Sequence, residues 1–219
     1  MRHKMRQIVR RGYEQGDYSA AFQRYGPPSA MERHYLDRLL VLCPPTPKVL
    51  DLGCGTGLPI DKHLADHGAD LTGIDLSPKH IALAKSNLPS ASYREGDLLH
   101  ATLPEGRFDG VVSFYAIFHI PRSEHGDLFL RINRLLKPNG LFLATLGTSD
   151  SAYGEEASWA GAPMAWSSYD AETYRRLLAA ASFDVIESGF EGQPGDVEHH
   201  FWVLARKSSL ARKRDVNGR

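Results

Sequence analysis

The chain predicts an α/β fold, a parallel sheet with helices on both faces. Three observations carry the prediction. Short apolar runs alternate with amphipathic stretches through most of the 219 residues, the pattern of strands joined by helical crossovers. The first apolar run, Val49-Leu50-Asp51-Leu52, ends in the alternating glycines Gly53, Gly55 and Gly57, which permit a tight strand-to-helix turn that side chains would obstruct. The second, Leu71-Thr-Gly-Ile-Asp75, ends in a carboxylate twenty-two residues after Gly53.

Each element follows in order. From Met5 to Leu42 the chain reads as two helices separated by Gly26-Pro27-Pro28, a helical cap over 1–42 that belongs to the same domain. A core over 43–207 follows. Strands are expected near 48–52, 70–75, 91–95, 109–114 and 141–146, with helices near 57–67, 78–87 and 123–136. Val49, Leu50 and Leu52 suit a strand buried on both faces. Lys137-Pro-Asn-Gly140 stops the third of these helices before the fifth strand. Residues 147–169 form a lid-like insert, longer than most connections in a compact domain and therefore a candidate functional loop. A helix near 170–181 and strands near 183–190 and 198–206 complete the core, and 208–219 reads as a basic, disordered tail.

Bulk properties exclude more than they select. Lys plus Arg equals Asp plus Glu at 26 each, so no global field steers the chain toward nucleic acid or an anionic membrane. A small substrate is the expected partner. Five of the first eleven residues and five of the last thirteen are basic, and both runs read as solvated ends. Cys43 and Cys54 offer neither a disulfide framework nor metal spacing, and no long apolar segment suggests a leader or a membrane span, so the expected compartment is the cytoplasm.

The glycine turn narrows the ligand. A dinucleotide site uses Gly-x-Gly-x-x-Gly, whereas here the third glycine comes one residue early and Leu58 holds the remaining place. Asp75 is placed to accept from two ribose hydroxyls. A nucleoside without a pyrophosphate follows.

With these residues in hand, the chain resembles the class I S-adenosylmethionine-dependent methyltransferases from about Val49 to Lys207. DLGCGTG (51–57) is similar to the first family motif, GIDLSP (73–78) to the second and EGDLLH (95–100) to the third. FDGVVSFYAIFHI (108–120) resembles the strand and loop beside the reacting methyl, and LLKPNGLFLAT (135–145) the helix, turn and fifth strand. The resemblance implies a Rossmann-like sheet of seven strands, mostly parallel with an antiparallel last strand. It implies S-adenosylmethionine as cofactor, S-adenosylhomocysteine as product and no metal. Asp51, Gly53, Gly55, Gly57, Asp75, Leu76, Asp97, Leu98 and Phe114 are the implied cofactor residues. The segments around 119–148, 162–169 and 200–206 resemble bacterial, actinomycete-type small-molecule methyltransferases, some of which methylate C3 of indoles in secondary metabolism. An aromatic natural product, an indole among them, is the implied substrate. O- or N-methylation of a phenol or amine is the alternative. A cofactor-binding protein without methyl transfer is the alternative of another class.

Positioning dominates such chemistry, because a nucleophile held in line with an activated methyl gains roughly 7–11 kcal/mol from orientation. His119, one turn beyond the fourth strand, is the first candidate for general base or orienting group. Tyr13 and Tyr25 of the cap are further candidates to take an indole N–H proton. Tyr18 and Phe22 of the cap, Tyr115, and Trp159, Met164 and Trp166 of the insert are candidate walls of an apolar pocket. With the seventh strand antiparallel, His199 and His200 reach the same edge, on opposite faces. Histidines 3, 34, 63, 67, 80, 100 and 125 read as surface residues.

Overall fold

The computed structural model describes residues 2–16, 26–192 and 199–209. β1 (Lys48–Leu52) is a central strand because both edges are paired in parallel. β2 (Asp70–Asp75) sets Asp70 beside Lys48, and β4 (Phe108–Ser113) sets Gly110 beside Val49. β3 (Ser92–Glu95) extends the sheet beyond β2, and β5 (Leu136–Leu146) beyond β4. β9 (His200–Lys207) then enters antiparallel between β5 and β8 (Phe183–Glu191), giving the order β3-β2-β1-β4-β5-β9-β8. The expected seven-stranded sheet with an antiparallel last strand is therefore present. Strand order reverses between β1 and β4, where open α/β sheets form their crevice.

Alternating strand residues build two cores. Leu50, Leu52, Phe142, Phe201 and Val203 face one side, where α5 (His125–Leu135) and α6 (Ala171–Ala180) supply Phe129 and Tyr174. Val49, Val112, Leu143, Trp202 and Leu204 face the other, against α2 (Ala30–Leu42), α3 (Ile60–Asp66) and α4 (Pro78–Asn87). α2 starts in a capping box: Ser29 Oγ accepts from the Glu32 amide, and Glu32 returns a carboxylate to the Ser29 amide at 2.7 Å. Its Tyr35 stacks on Trp202 at 5.1 Å.

Four expectations change. The basic start is solvated on one face only: Arg2–Gln15 form α1, with Lys4, Arg10 and Arg11 exposed but Met5 and Val9 buried. The insert over 147–169 is a hairpin, β6 (Ser151–Trp159) and β7 (Ala162–Ser168), turned through Ala160 and Gly161 at positive φ. α1 packs on β7, so Met5, Val9, Met164 and Ala165 form a third apolar cluster, each large side chain stabilising by about 1.5–3 kcal/mol. The fifth strand begins five residues early: Leu136 already pairs with Phe108 before the ladder resumes at Leu141 opposite Gly110. Lys137–Gly140 thus loops out within the strand, turned by Asn139 at φ 63°.

The fourth change concerns histidines. His80 and His125 are buried, not surface residues. His125 Nε2 donates to the Ile120 carbonyl at 3.0 Å, so its Nδ1 accepts from the Tyr174 hydroxyl at 3.1 Å. No helix among the described residues is long and apolar enough to cross a membrane. Tyr18, Phe22, Tyr25 and the expected strand residue Glu198 lie outside the described residues.

Candidate active site

A cleft of about 980 Å³, open to solvent, lies between the carboxyl ends of β1, β2 and β4 and the helix α1. The turn after β1 forms its floor. Gly53 donates to the Ile74 carbonyl at 2.8 Å with φ 90°, and a Cβ there would stand 2.4 Å from that of Ala116. Gly55, at φ 53°, donates to Asp75 Oδ2 at 3.0 Å. A Cβ on Gly55 would meet nothing within 4 Å; its backbone faces open space where a ligand can approach.

Carboxylates surround this floor. Asp75 also accepts from the Ser77 amide at 2.9 Å, and His80 Nδ1 stands 3.4 Å from its Oδ1. Asp97 accepts from the Leu99 amide at 2.8 Å and from Arg6 Nε at 3.0 Å. Arg6 reaches on to Glu124 at 2.7 Å. Below the glycines, fully buried Asp61 accepts from the Tyr93 hydroxyl at 2.7 Å, close to Asp51. Burial pushes the Asp61 carboxyl up to about 6, against the pull of the Tyr93 hydroxyl and of Asp51 beside it. Burial and the surrounding acids push the Cys54 thiol well up, so it is no nucleophile.

The other wall is aromatic. Phe114 and Tyr115 follow β4, with Tyr115 in the left-handed region at φ 54° and its amide donating to Thr145 Oγ1 at 2.5 Å. The Tyr115 hydroxyl donates to Glu191 at 3.2 Å, which also accepts from Trp202 Nε1 at 3.1 Å. His119 sits in a single 3₁₀ turn, Ile117–His119, at the cleft. Its Nδ1 lies 2.8 Å from the Ala165 carbonyl of β7. A carbonyl only accepts, so the proton is on Nδ1 and the lone pair on Nε2. Burial, outweighing the Ala165 bond, holds the imidazole down at about 4.

Residues 49–140 match a family model described as a methyltransferase domain. The match covers 92 of the 219 residues and includes the glycine turn, Asp75 and Asp97. An uncharacterized methyltransferase of Synechocystis sp. is 38% identical over 98 residues, 45% of this chain and 46% of its own length. A ubiquinone biosynthesis O-methyltransferase of Dechloromonas aromatica is 36% identical over 113 residues, 48% of this chain and 47% of its own. The chain thus spans about half the length of these curated relatives. In fold it is similar to the 1,6-didemethyltoxoflavin-N1-methyltransferase of Burkholderia thailandensis, at TM-score 0.72 and 23% identity, covering 95% of this chain and 91% of that one.

The cleft fits S-adenosylmethionine on its own evidence: an open cradle over Gly55, and acids at 51, 75 and 97 suited to hydroxyl, amine and sulfonium groups. Asp51, Gly53, Gly55, Asp75, Leu76, Asp97, Leu98 and Phe114 all line it, as do Tyr13, Tyr115 and His119. Gly57 is not among the lining residues; its missing Cβ makes room for the Tyr93 hydroxyl, which would stand 2.8 Å away. Met164 is buried under α1, and Trp166 packs in the same cluster, so both hold the hairpin to the helix. The Trp159 ring centre stands 6.1 Å from that of His119 but is not among the lining residues, and it packs on the cluster under α1. His200 stacks on Phe118 and meets Tyr115 edge-on at 4.9 Å. His199 instead meets Thr148 at 3.2 Å. Arg6, Val9 and His80 also line the cleft, and sequence reasoning missed all three. The 3.6-residue spacing of Met5, Val9 and Gly12 along the basic run was the available signal.

Proposed function

We propose that the protein transfers a methyl group from S-adenosylmethionine to a small aromatic substrate carrying an N–H or O–H group. The observation that carries this reading is the His119 tautomer: with Nδ1 committed to Ala165, Nε2 is an acceptor at a cleft otherwise walled by Phe114, Tyr115 and Tyr13. The bound cofactor supplies an activated methyl on sulfur with a neutral leaving group. Phe114 and Tyr115 bound the apolar side of the site, and the Tyr13 and His119 rings meet edge to face with their centres 5.4 Å apart.

At about 4, His119 is neutral through the ordinary pH range and is a weak base. Its role is to accept a hydrogen bond from the nucleophile's N–H or O–H, orienting the group and taking up its proton as bond formation makes it acidic. For an indole, a bond from the ring N–H to Nε2 raises electron density at C3, so C3 methylation is the finer form of this reading. Methylation on nitrogen or oxygen is the second reading. It draws on the names of the Burkholderia and Dechloromonas relatives, an N1- and an O-methyltransferase.

The test is incubation with methyl-labelled S-adenosylmethionine and a panel of indoles, indole diketopiperazines, phenols and amines, with products resolved by mass fragmentation. Label on ring carbon supports the indole form, and label on nitrogen or oxygen the second. Cofactor binding with no labelled product across the panel would favour a binding protein without transfer.

A further inference from the structure

We propose that Asp37, His63 and His67 form a transition-metal site, taking Zn²⁺ or a cation of similar ligand preference, on the outer face where α2 meets α3. None of the three lines the cofactor cleft. His63 and His67 lie four residues apart, on the last turn of α3 and at its C-cap, so their rings share one face and stand 4.4 Å apart. His67 Nδ1 is 2.8 Å from the His63 carbonyl. That carbonyl only accepts, so Nδ1 carries the proton and Nε2 keeps its lone pair, the outer-shell arrangement that orients metal-binding imidazoles.

The third donor comes from the neighbouring helix. Asp37 Oδ1 on α2 stands 2.8 Å from His63 Nε2. One donor atom from each of the three residues lies within 4.8 Å of the others. Tetrahedral zinc, with bonds of about 2.0–2.1 Å, needs donors roughly 3.3 Å apart, which small rotations of these side chains supply. Two imidazoles with one carboxylate suit zinc, copper or nickel rather than calcium or magnesium, which prefer oxygen donors. The fourth position is left to water or an external ligand. The expected consequence is structural: the ion ties the cap helix bearing Tyr35 to the helix that leaves the glycine turn.

Untagged full-length protein, stripped with chelator, would be titrated with zinc sulfate by calorimetry and melted with and without zinc. The expected result is one equivalent bound in the micromolar range and a higher Tm with zinc. H67Q and D37N each weaken binding roughly 10-fold or more and abolish the zinc-dependent rise in Tm, while H34Q changes neither. Metal-free melting of each variant controls for its fold. No saturable one-equivalent binding by 100 µM zinc, or binding that both H67Q and D37N leave unchanged, would overturn the proposal.

Discussion

The Arg6 guanidinium bridges two carboxylates at the edge of the cleft, with Nε 3.0 Å from Asp97 and a terminal nitrogen 2.7 Å from Glu124. Asp97 is an implied cofactor residue, and Glu124 precedes α5, so one side chain fastens α1 across both. The pair is partly buried, with Glu124 only 10% exposed in its side chain.

Arg6→Ala is therefore expected to destabilise the protein by about 1–3 kcal/mol, because it takes a charged donor from two partly buried carboxylates. Lys4→Ala, which breaks the Lys4–Glu155 pair at 65% and 36% exposure, is expected to cost under about 1 kcal/mol. Urea unfolding of both variants compares the two. Cofactor affinity, by calorimetry, falls with Arg6→Ala and stays with Lys4→Ala. Equal effects would mean that α1 is held by its apolar face alone.

The two first glycines of the turn separate folding from binding. At Gly53 an added methyl would collide with Ala116 at 2.4 Å, so Gly53→Ala displaces the turn and lowers both Tm and cofactor affinity. At Gly55 the methyl meets nothing within 4 Å and enters the cleft. Gly55→Ala is expected to cost about 1–2 kcal/mol for left-handed backbone while weakening cofactor binding at least as much as Gly53→Ala. Paired melting and titration curves check the contrast.

Much of this arrangement was legible in the chain. The runs Val49–Leu52 and Leu71–Asp75 alternate with amphipathic helices, and Asp75 and the glycines at 53 and 55 fall where a crevice must form. What was hidden depends on distant pairing. Arg6 and Arg10 looked solvated because Asp97, Glu124 and Glu95 are 85 to 118 positions away. Met164 and Trp166 looked like pocket walls because nothing local shows that α1 covers them. The Asp37 carboxylate lies 26 positions from His63, too far for any spacing rule. His125 is buried because its ring satisfies Ile120 and Tyr174 in a neutral tautomer.

Asp61 makes a pH-dependent prediction. Burial holds its carboxyl at about 6 against an ordinary 3.8. A raised carboxyl favours the folded state fully below 3.8 and loses that advantage as pH rises through 6, because the buried group must then ionise or unfold. Asp61→Asn keeps an acceptor for Tyr93 and cannot ionise. Its Tm is expected to exceed that of the wild type at pH 8, with the gap closing below pH 4. Thermal melts across pH 4 to 8 measure it, and a constant gap would show that burial does not raise the Asp61 carboxyl.

His119 makes the opposite one, with two readouts. Its folded value of about 4 lies below the ordinary 6.5, so its contribution to stability is complete above 6.5 and is lost as pH falls through 4. The stability gap between wild type and His119→Gln should accordingly narrow as pH falls from 7 to 4, followed by urea unfolding. In the proposed reaction, Nε2 accepts from the nucleophile without carrying a proton of its own. His119→Gln presents an amide of poorer basicity and is expected to lower kcat by roughly 10²-fold or more, with cofactor affinity unchanged. The wild-type rate profile should show no limb from this group near 6.5. A limb there that disappears in His119→Gln would mean the imidazole titrates as a solvated group, and its bond to Ala165 would not be the feature that sets its role.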